Sequence, residues 1–431
     1  MRYNIDVVCG GTYGDEGKGK CVNFLCEKKH YDYVFRVNAS TNASHCVNVS
    51  EGSPEYVTKQ LPSVFNSPSI GLVVSNATFL NIHEFRKEIE GRPDIKDIKN
   101  NVYVAGSVPL ILDNYLKMSK KDNDRQNTGT TNQGTGIAMR ERVSKNSIYL
   151  YDVYNETEIT EELLKKFITH YKKMGVSISE VDIINEVNQI IDDITVIKSL
   201  IGDFMVDYPS FIKKKMVDKT ILIEGCNGIL LDNITGVRPY TTSCSTNPAA
   251  LASYASLSPF YIRKAYVVVG SYFVCLNKRP FKTEISDPKI LAHIKKNNAE
   301  IDHAEMMERR IGWFDLPALK RALVGCESAD GKTDIFLTKA DILSGLEEIK
   351  VCTAYMLNGK KLDMLPDNTE DIAKCKPIYE TFSGWSSPMS AEFAKFCEYI
   401  GNSLGSDYRI SYVSTGKETM NTMNVSNLFH F

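Results

Sequence analysis

Glycines, two acids and two lysines crowd one run near the N-terminus, Gly10-Gly11-Thr12-Tyr13-Gly14-Asp15-Glu16-Gly17-Lys18-Gly19-Lys20. Glycines let a backbone turn sharply and bring several N–H groups up to one anion. A helix starting just after them adds favourable partial positive charge. The chemistry implied is phosphate binding. Gly14 to Lys20 fits G-x-x-x-x-G-K, but Cys21 stands where a Walker loop has the Ser or Thr that reaches magnesium. An acid inside such a loop repels phosphate unless a metal or a proton transfer employs it. The plain alternative is a glycine-rich turn with solvated charges. The apolar run before the loop, the helix expected after it and the Asp-Glu insertion favour the anion site.

Something must hold that loop. Short apolar runs at residues 5–9, 33–37, 71–75, 102–105, 221–224, 265–270, 334–338, 349–354 and 409–414 read as buried strands. Stretches of helical period fall at 82–90, 161–173, 181–200, 316–323 and 391–404. Strands alternating with helices predict an α/β fold, a large and mainly parallel sheet with helices on both faces, as in P-loop NTPases. No linker composition stands out, so one domain over 1–431 is expected, with insertions. The polar run 117–135 is expected as a mobile loop, and about 157–216 as a mainly helical insertion.

Composition narrows the class. Lys plus Arg is 51 and Asp plus Glu is 53, so the formal charge of -2 offers no footprint for nucleic acid. The 11 cysteines lack any C-x-x-C pair, which argues against a disulfide framework and a structural zinc site. The first apolar run is too short for a signal peptide, and no stretch reaches the roughly 18 apolar residues of a membrane span. A cytoplasmic enzyme is expected, with no membrane partner.

Gly-Asp-Glu-Gly-Lys-Gly-Lys after a strand resembles the signature of adenylosuccinate synthetases. The resemblance makes Asp15 the catalytic base that deprotonates N1 of a 6-oxopurine, and also a magnesium ligand. It gives Lys18 a catalytic, phosphate-binding role and places Gly14, Glu16, Gly17, Gly19 and Lys20 with it around GTP. The family block G-G-H-N-A-G-H-T falls on Ala39-Ser40-Thr41-Asn42-Ala43-Ser44-His45-Cys46. It implies a catalytic His45, a nucleotide-contacting Asn42 and a Ser44 carbonyl on the metal. Thr128 to Gly134 resembles G-T-T-G-R-G, which puts Thr130 and Thr131 on the nucleotide 5′-phosphate. The arginine that a neighbouring subunit contributes falls on Lys145, a weaker phosphate fork, with Arg140 and Arg142 nearby. Glu224-Gly225-Cys226-Asn227-Gly228 matches E-G-A-Q-G, so Asn227 replaces a glutamine that faces the nucleotide. Pro239 to Ser243 matches P-Y-V-T-S and sets Thr242 on the phosphate. Thr338-Lys339-Ala340-Asp341 resembles guanine recognition in GTPases: the lysine stem covers the base, and the carboxylate accepts from guanine N1 and N2. Adenine has no such donor pair, so Asp341 points to GTP over ATP. Ser414-Thr415-Gly416 matches S-T-G, which implies Ser414 and Gly416 along the guanine. The matched blocks run from residue 10 to residue 416.

The chain departs from the family at the amino-acid loop, T-T-G-R-R-R-R-T-G-W. Aligned on Gly312-Trp313, it has Ala304-Glu305-Met306-Met307-Glu308-Arg309-Arg310-Ile311. Glu305 stands where a carboxylate should bind, and Met307 and Arg309 complete the altered loop. Cys275 to Arg279 replaces V-G-A-G-P, another amino-acid segment. The resemblance implies a magnesium- and GTP-dependent carbon–nitrogen ligase, a homodimer, with IMP and L-aspartate as default substrates. The departures keep open another amine donor, another purine such as dGMP, or a catalytically silent nucleotide-binding relative.

Overall fold

The computed structural model describes residues 2–126, 131–276, 278–297 and 309–426. Its centre is a ten-stranded sheet. In chain order the strands are β1 (Asn4–Gly10), β2 (Tyr33–Arg36), β3 (Gly71–Val74), β4 (Val102–Ala105) and β5 (Met205–Val206), then β6 (Thr220–Gly228), β7 (Ile262–Gly270), β8 (Thr333–Thr338), β9 (Tyr408–Ser414) and β10 (Thr422–Asn424). In space they run β10-β9-β8-β7-β1-β6-β2-β3-β4-β5. Every neighbouring pair is parallel except β9 with β10.

Apolar residues sit on both faces of these strands because both faces are covered. Along β1, Ile5, Val7 and Cys9 join one apolar cluster and Val8 joins the other, the alternation of a strand between two layers. The run at 349–354 departs from expectation. It belongs to the strand Glu348–Leu357 of a second, four-stranded sheet, paired antiparallel with Lys360–Leu362 and Lys376–Ser383 and parallel with Phe314–Asp315. Apolar content alone does not tell a parallel strand from a half-covered one, and this strand is covered unevenly.

Helix α1 (Lys18–Lys28) follows the glycine-rich loop. Next come α2 (Ile82–Glu90), α3 (Asp113–Gln126), α4 (Thr135–Val143), α5 (Glu161–Lys173), α6 (Glu180–Ile201) and α7 (Tyr208–Lys215). Side chains of Asn81, Thr160, Ser179 and Asp207 accept from the first-turn N–H groups of α2, α5, α6 and α7 and fix where these helices start. Residues 117–126, expected as loop, continue α3 instead. That stretch is polar but free of Gly and Pro, and its Lys, Met and Gln residues are good helix formers. Residues 127–130 lie outside the described part.

All the cysteines are free thiols, and only Cys46 is even half-buried rather than buried. Among the described residues no helix is long and apolar enough to cross a membrane.

Candidate functional site

β1 ends at the glycine-rich loop, between the carboxyl ends of β6 and β7, where open parallel sheets hold their ligands. The loop turns through positive φ at Gly14, Asp15 and Gly17, and Gly17 is the left-handed residue before α1. Glu16 shapes the loop from inside. Its Oε1 accepts from Thr12 N at 3.0 Å, Thr12 Oγ1 at 2.8 Å and Gly14 N at 3.0 Å, and its Oε2 pairs with Lys18 Nζ at 2.6 Å. Glu16 is 2% exposed, and its carboxylate faces the loop's own N–H groups. Sequence order could not reveal this, because the turn at Asp15 sends successive side chains in opposite directions.

Asp15 is therefore the loop acid that reaches solvent, with its side chain 40% exposed. Arg309, from the second half of the altered amino-acid loop, donates to its Oδ2. Burial acts to raise the Asp15 pKa, but the Arg309 guanidinium outweighs it, with Lys339 and Lys18 adding to the same field. The carboxyl is held below its usual value.

His45 opens the short hairpin of His45–Val47 and Tyr56–Thr58, which packs on α1. Its imidazole Nδ1 lies against the Glu224 carboxylate, and Arg36 Nη1 lies 2.7 Å from the same nitrogen. Arg36 donates to Glu224 Oε1 at 2.9 Å, and Ser63 N donates to Glu224 Oε2 at 2.7 Å. Arg36 is 1% and Glu224 0% exposed. Burial, then the nearby Arg36, push the His45 pKa down to about 4, against the pull of Glu224. Burial works to raise Glu224, yet Arg36 and His45 hold it down at about 2. Neither Arg36 nor Ser63 was singled out from the sequence, and Glu224 was quoted without a role. A signal was there: a charge ends each of two buried runs, and the sheet sets Arg36 directly opposite Glu224.

The hairpin approaches so closely because α1 offers a glycine. A Cβ on Gly19 would stand 2.8 Å from His45 Cβ, 3.1 Å from Ser63 Oγ and 3.2 Å from the Cys46 carbonyl. Gly19→Ala is expected to displace the hairpin and lower kcat by about tenfold or more through a misplaced His45. A kcat equal to wild type in steady-state assays would show that this approach is not needed.

Other expected site residues are placed as follows. Asn42 Oδ1 accepts from Ser40 N at 2.9 Å and Thr135 Oγ1 at 3.0 Å, joining its turn to α4. Thr131 precedes α4 and is half-buried. Asn227 is the next-to-last residue of β6, with φ 61, and its Oδ1 is buried with no hydrogen-bond partner among the described residues. Asn38 clamps that strand end, accepting from Cys226 N at 2.8 Å and donating to Cys226 O at 3.3 Å. Thr242 N donates to Leu231 O at 2.8 Å. Lys145 is exposed just beyond α4 with φ 61. Lys339, φ 60, follows β8, with its ammonium 5.3 Å from the centre of the Tyr272 ring. Burial raises the pKa of Asp341, opposed by Lys20 and Lys339. Thr130, Glu305 and Met307 lie outside the described residues. Lys20, Ser414 and Gly416 come together at one place: Lys20 Nζ donates to Ser414 Oγ and to the Gly416 carbonyl. Tertiary packing of α1 on the end of β9 decides this. In the altered segments Arg310 forks onto Glu284 at 2.8 and 2.5 Å, and Arg279 stacks 4.2 Å from the Tyr13 ring centre.

Known proteins are similar to this chain. The profile of the family described as adenylosuccinate synthetase matches residues 7–423. The adenylosuccinate synthetase of Wigglesworthia glossinidia brevipalpis is 32% identical, over 90% of this chain and 88% of its own. That of Petrotoga mobilis is 30% identical, over 96% of this chain and 95% of its own. Among solved structures, the fully ligated adenylosuccinate synthetase from Plasmodium falciparum superposes with a TM-score of 0.84 at 24% identity, over 98% of this chain and 99% of that one. A cyanophage S-2L succinoaminodeoxyadenylate synthetase, bound to dGMP and dATP, superposes with a TM-score of 0.60 at 16% identity, over 98% of this chain and 96% of that one.

Proposed function

Since the chain belongs to the adenylosuccinate synthetase family, and so to the carbon–nitrogen ligases, we propose that it transfers the γ-phosphoryl group of GTP to O6 of IMP and then replaces that oxygen with the amine of L-aspartate. One observation carries this reading: the loop turns Glu16 inward and Asp15 outward, and a buried His45 is seated on the helix that the loop opens.

The chemistry asks for these groups. A lactam oxygen is a poor nucleophile and a poor leaving group. Asp15 takes the N1 proton, O6 attacks the γ-phosphorus, and GDP departs. His45 hydrogen-bonds the phosphoryl group in flight, while Lys18 and the loop N–H groups meet its developing charge. The amine then attacks C6 and phosphate leaves. A carboxylate held ionised by Arg309 is ready to accept a proton but is a weak base. Displacement of Arg309 by arriving substrate would raise its basicity.

Magnesium suits this site. Asp15 offers an outward oxygen donor, and a hard cation commonly takes one or two carboxylates and fills its remaining positions with phosphate and water. Asp15 and the Ser44 carbonyl would hold it, and when bound it neutralises phosphate charge. Asn42, Thr131, Asn227 and Thr242 are proposed to hold the purine nucleotide, with Thr130 from outside the described part. Lys339 and Asp341 are proposed to read guanine. The exposed Lys145 is proposed to serve a partner subunit's site in a cytoplasmic homodimer.

The test is to incubate the protein with GTP, magnesium, IMP and aspartate and follow GDP release together with the absorbance of a 6-substituted purine. Both signals are expected. GDP release that needs IMP but yields no adduct would move the amine away from aspartate, in line with the altered loop around Glu305, Met307 and Arg309. Absence of both signals, followed by turnover with dGMP, would overturn IMP as the substrate.

A further inference from the structure

Lys20 occupies the place of a Walker lysine, the residue that reaches phosphate in such loops. Here it points elsewhere. Its Nζ donates to Ser414 Oγ at 2.6 Å, to the Gly416 carbonyl at 2.6 Å and to the Asn421 carbonyl at 2.9 Å. An ammonium carries three protons. All three are committed to one turn, the 414–421 connection between β9 and β10. Lys20 is 7% exposed, and burial brings its pKa down to about 8, the state of a group shut away from solvent.

A second bond repeats the contact along the helix. Asn23 lies three residues on, on the same face of α1. Its Nδ2 donates to Thr419 Oγ1 at 3.1 Å, while its Oδ1 accepts from Phe65 N at 2.7 Å. Thr419 is fully buried, and its N donates to the Asn48 carbonyl at 2.7 Å. The 414–421 turn thus hangs from α1 at two points. The facing wall hangs from the same loop: Thr338 Oγ1, where β8 runs into Lys339 and Asp341, donates to the Glu16 carbonyl at 2.6 Å. Asp341 in turn lies in the field of Lys20.

We infer that Lys20 is a positioning residue for nucleobase selection rather than a phosphate ligand: it fixes the 414–421 turn against the phosphate loop and so sets the width of the base pocket. The inference rests on the assignment of Lys339 and Asp341 to guanine given above. Selection by hydrogen bonds needs its groups held to a fraction of an ångström. Without the strut, the Ser414 hydroxyl and the Gly416 and Asn421 carbonyls lose their bonds to Lys20 and the turn is free to shift. The phosphate contacts of Lys18 and the loop N–H groups are not built on that turn.

The experiment is calorimetric binding of GDP, IDP and ADP, with magnesium, to the full chain and to Lys20→Met and Thr419→Val. Wild type is expected to prefer GDP; equal binding of GDP and ADP would overturn the guanine assignment itself. Given that preference, Lys20→Met is expected to weaken GDP by about tenfold or more and ADP by much less, so that the GDP-to-ADP ratio collapses. Thr419→Val, far from any phosphate role, is expected to lower the same ratio. Weakening of all three nucleotides by one common factor in Lys20→Met, with an unchanged ratio in Thr419→Val, is the signature of a phosphate ligand and overturns the inference. Should Lys20→Met fail to fold, the ratio in Thr419→Val decides alone, and an unchanged ratio overturns it.

Discussion

Asp15→Asn is expected to lower kcat by about 10²- to 10⁴-fold, the usual worth of a positioned general base. The substitution keeps the size of the side chain and removes its ability to take a proton. Asn also tolerates the left-handed backbone that Asp15 adopts at φ 58, so the loop should keep its course. The lost pairing with Arg309 costs little stability, because the carboxylate is 40% exposed. Steady-state kinetics, GDP binding by calorimetry and a melting curve together make the check. The expected pattern is unchanged melting, GDP binding retained and turnover almost gone. Since Asp15 is also a proposed magnesium ligand, the assay is repeated across a magnesium titration. Recovery of kcat at high magnesium would show that the carboxylate binds metal and does not take the proton. A kcat near that of wild type would remove Asp15 from the mechanism.

The largest effect on stability is expected at Glu224. Arg36 and Glu224 are a buried pair, 1% and 0% exposed, with His45 and Ser63 completing the bonding. Removing one member strands a charge in the sheet, which costs about 3–5 kcal/mol. Glu224→Gln should therefore move the denaturation midpoint far to lower urea. The double variant Arg36→Met, Glu224→Leu should lose much less than the two single changes added together, because no stranded charge remains. Additive losses would show that the two side chains do not act as a pair. The same network predicts acid sensitivity. The Glu224 pKa is depressed from 4.5 to about 2, so its stabilisation is present above pH 4.5 and fades as pH falls towards 2. His45 folds neutral with a pKa lowered from 6.5 to about 4, so it too favours the folded state above pH 6.5 and loses that advantage as pH falls to 4. Stability should fall steadily on acidification from about pH 6.5, and a His45→Gln variant should lose the upper part of that dependence. A flat profile between pH 6.5 and 4 would contradict the buried placement of the imidazole.

How far the site was readable varies with the range of the interaction involved. Each expected strand is present, and eight of the nine lie in the main sheet, because a strand buried on both faces must be apolar throughout. The loop after β1, its glycines and the helix beyond it were local features and were found as such. The second sheet was missed: the strand Lys376–Ser383 is half-exposed, short of apolar residues, and held by pairing with Glu348–Leu357 rather than by its own composition. In the stretch 117–126 polarity suggests a loop, but helix propensity prevails.

By itself the sequence determined the glycine-rich loop, the order of the buried strands and which acids, lysines and histidine were available, because these depend on neighbours a few residues apart. Only the tertiary structure decided what each of them faces. Two adjacent acids, Asp15 and Glu16, part at a left-handed residue, one to solvent and one into the loop. Two lysines two residues apart divide likewise, Lys18 to Glu16 and Lys20 to the 414–421 turn, 394 residues from Ser414 in the chain. Arg36 meets Glu224 because β2 lies in register beside β6, a pairing 188 residues apart. Such contacts are set by how strands and helices stack in space, which no local pattern encodes.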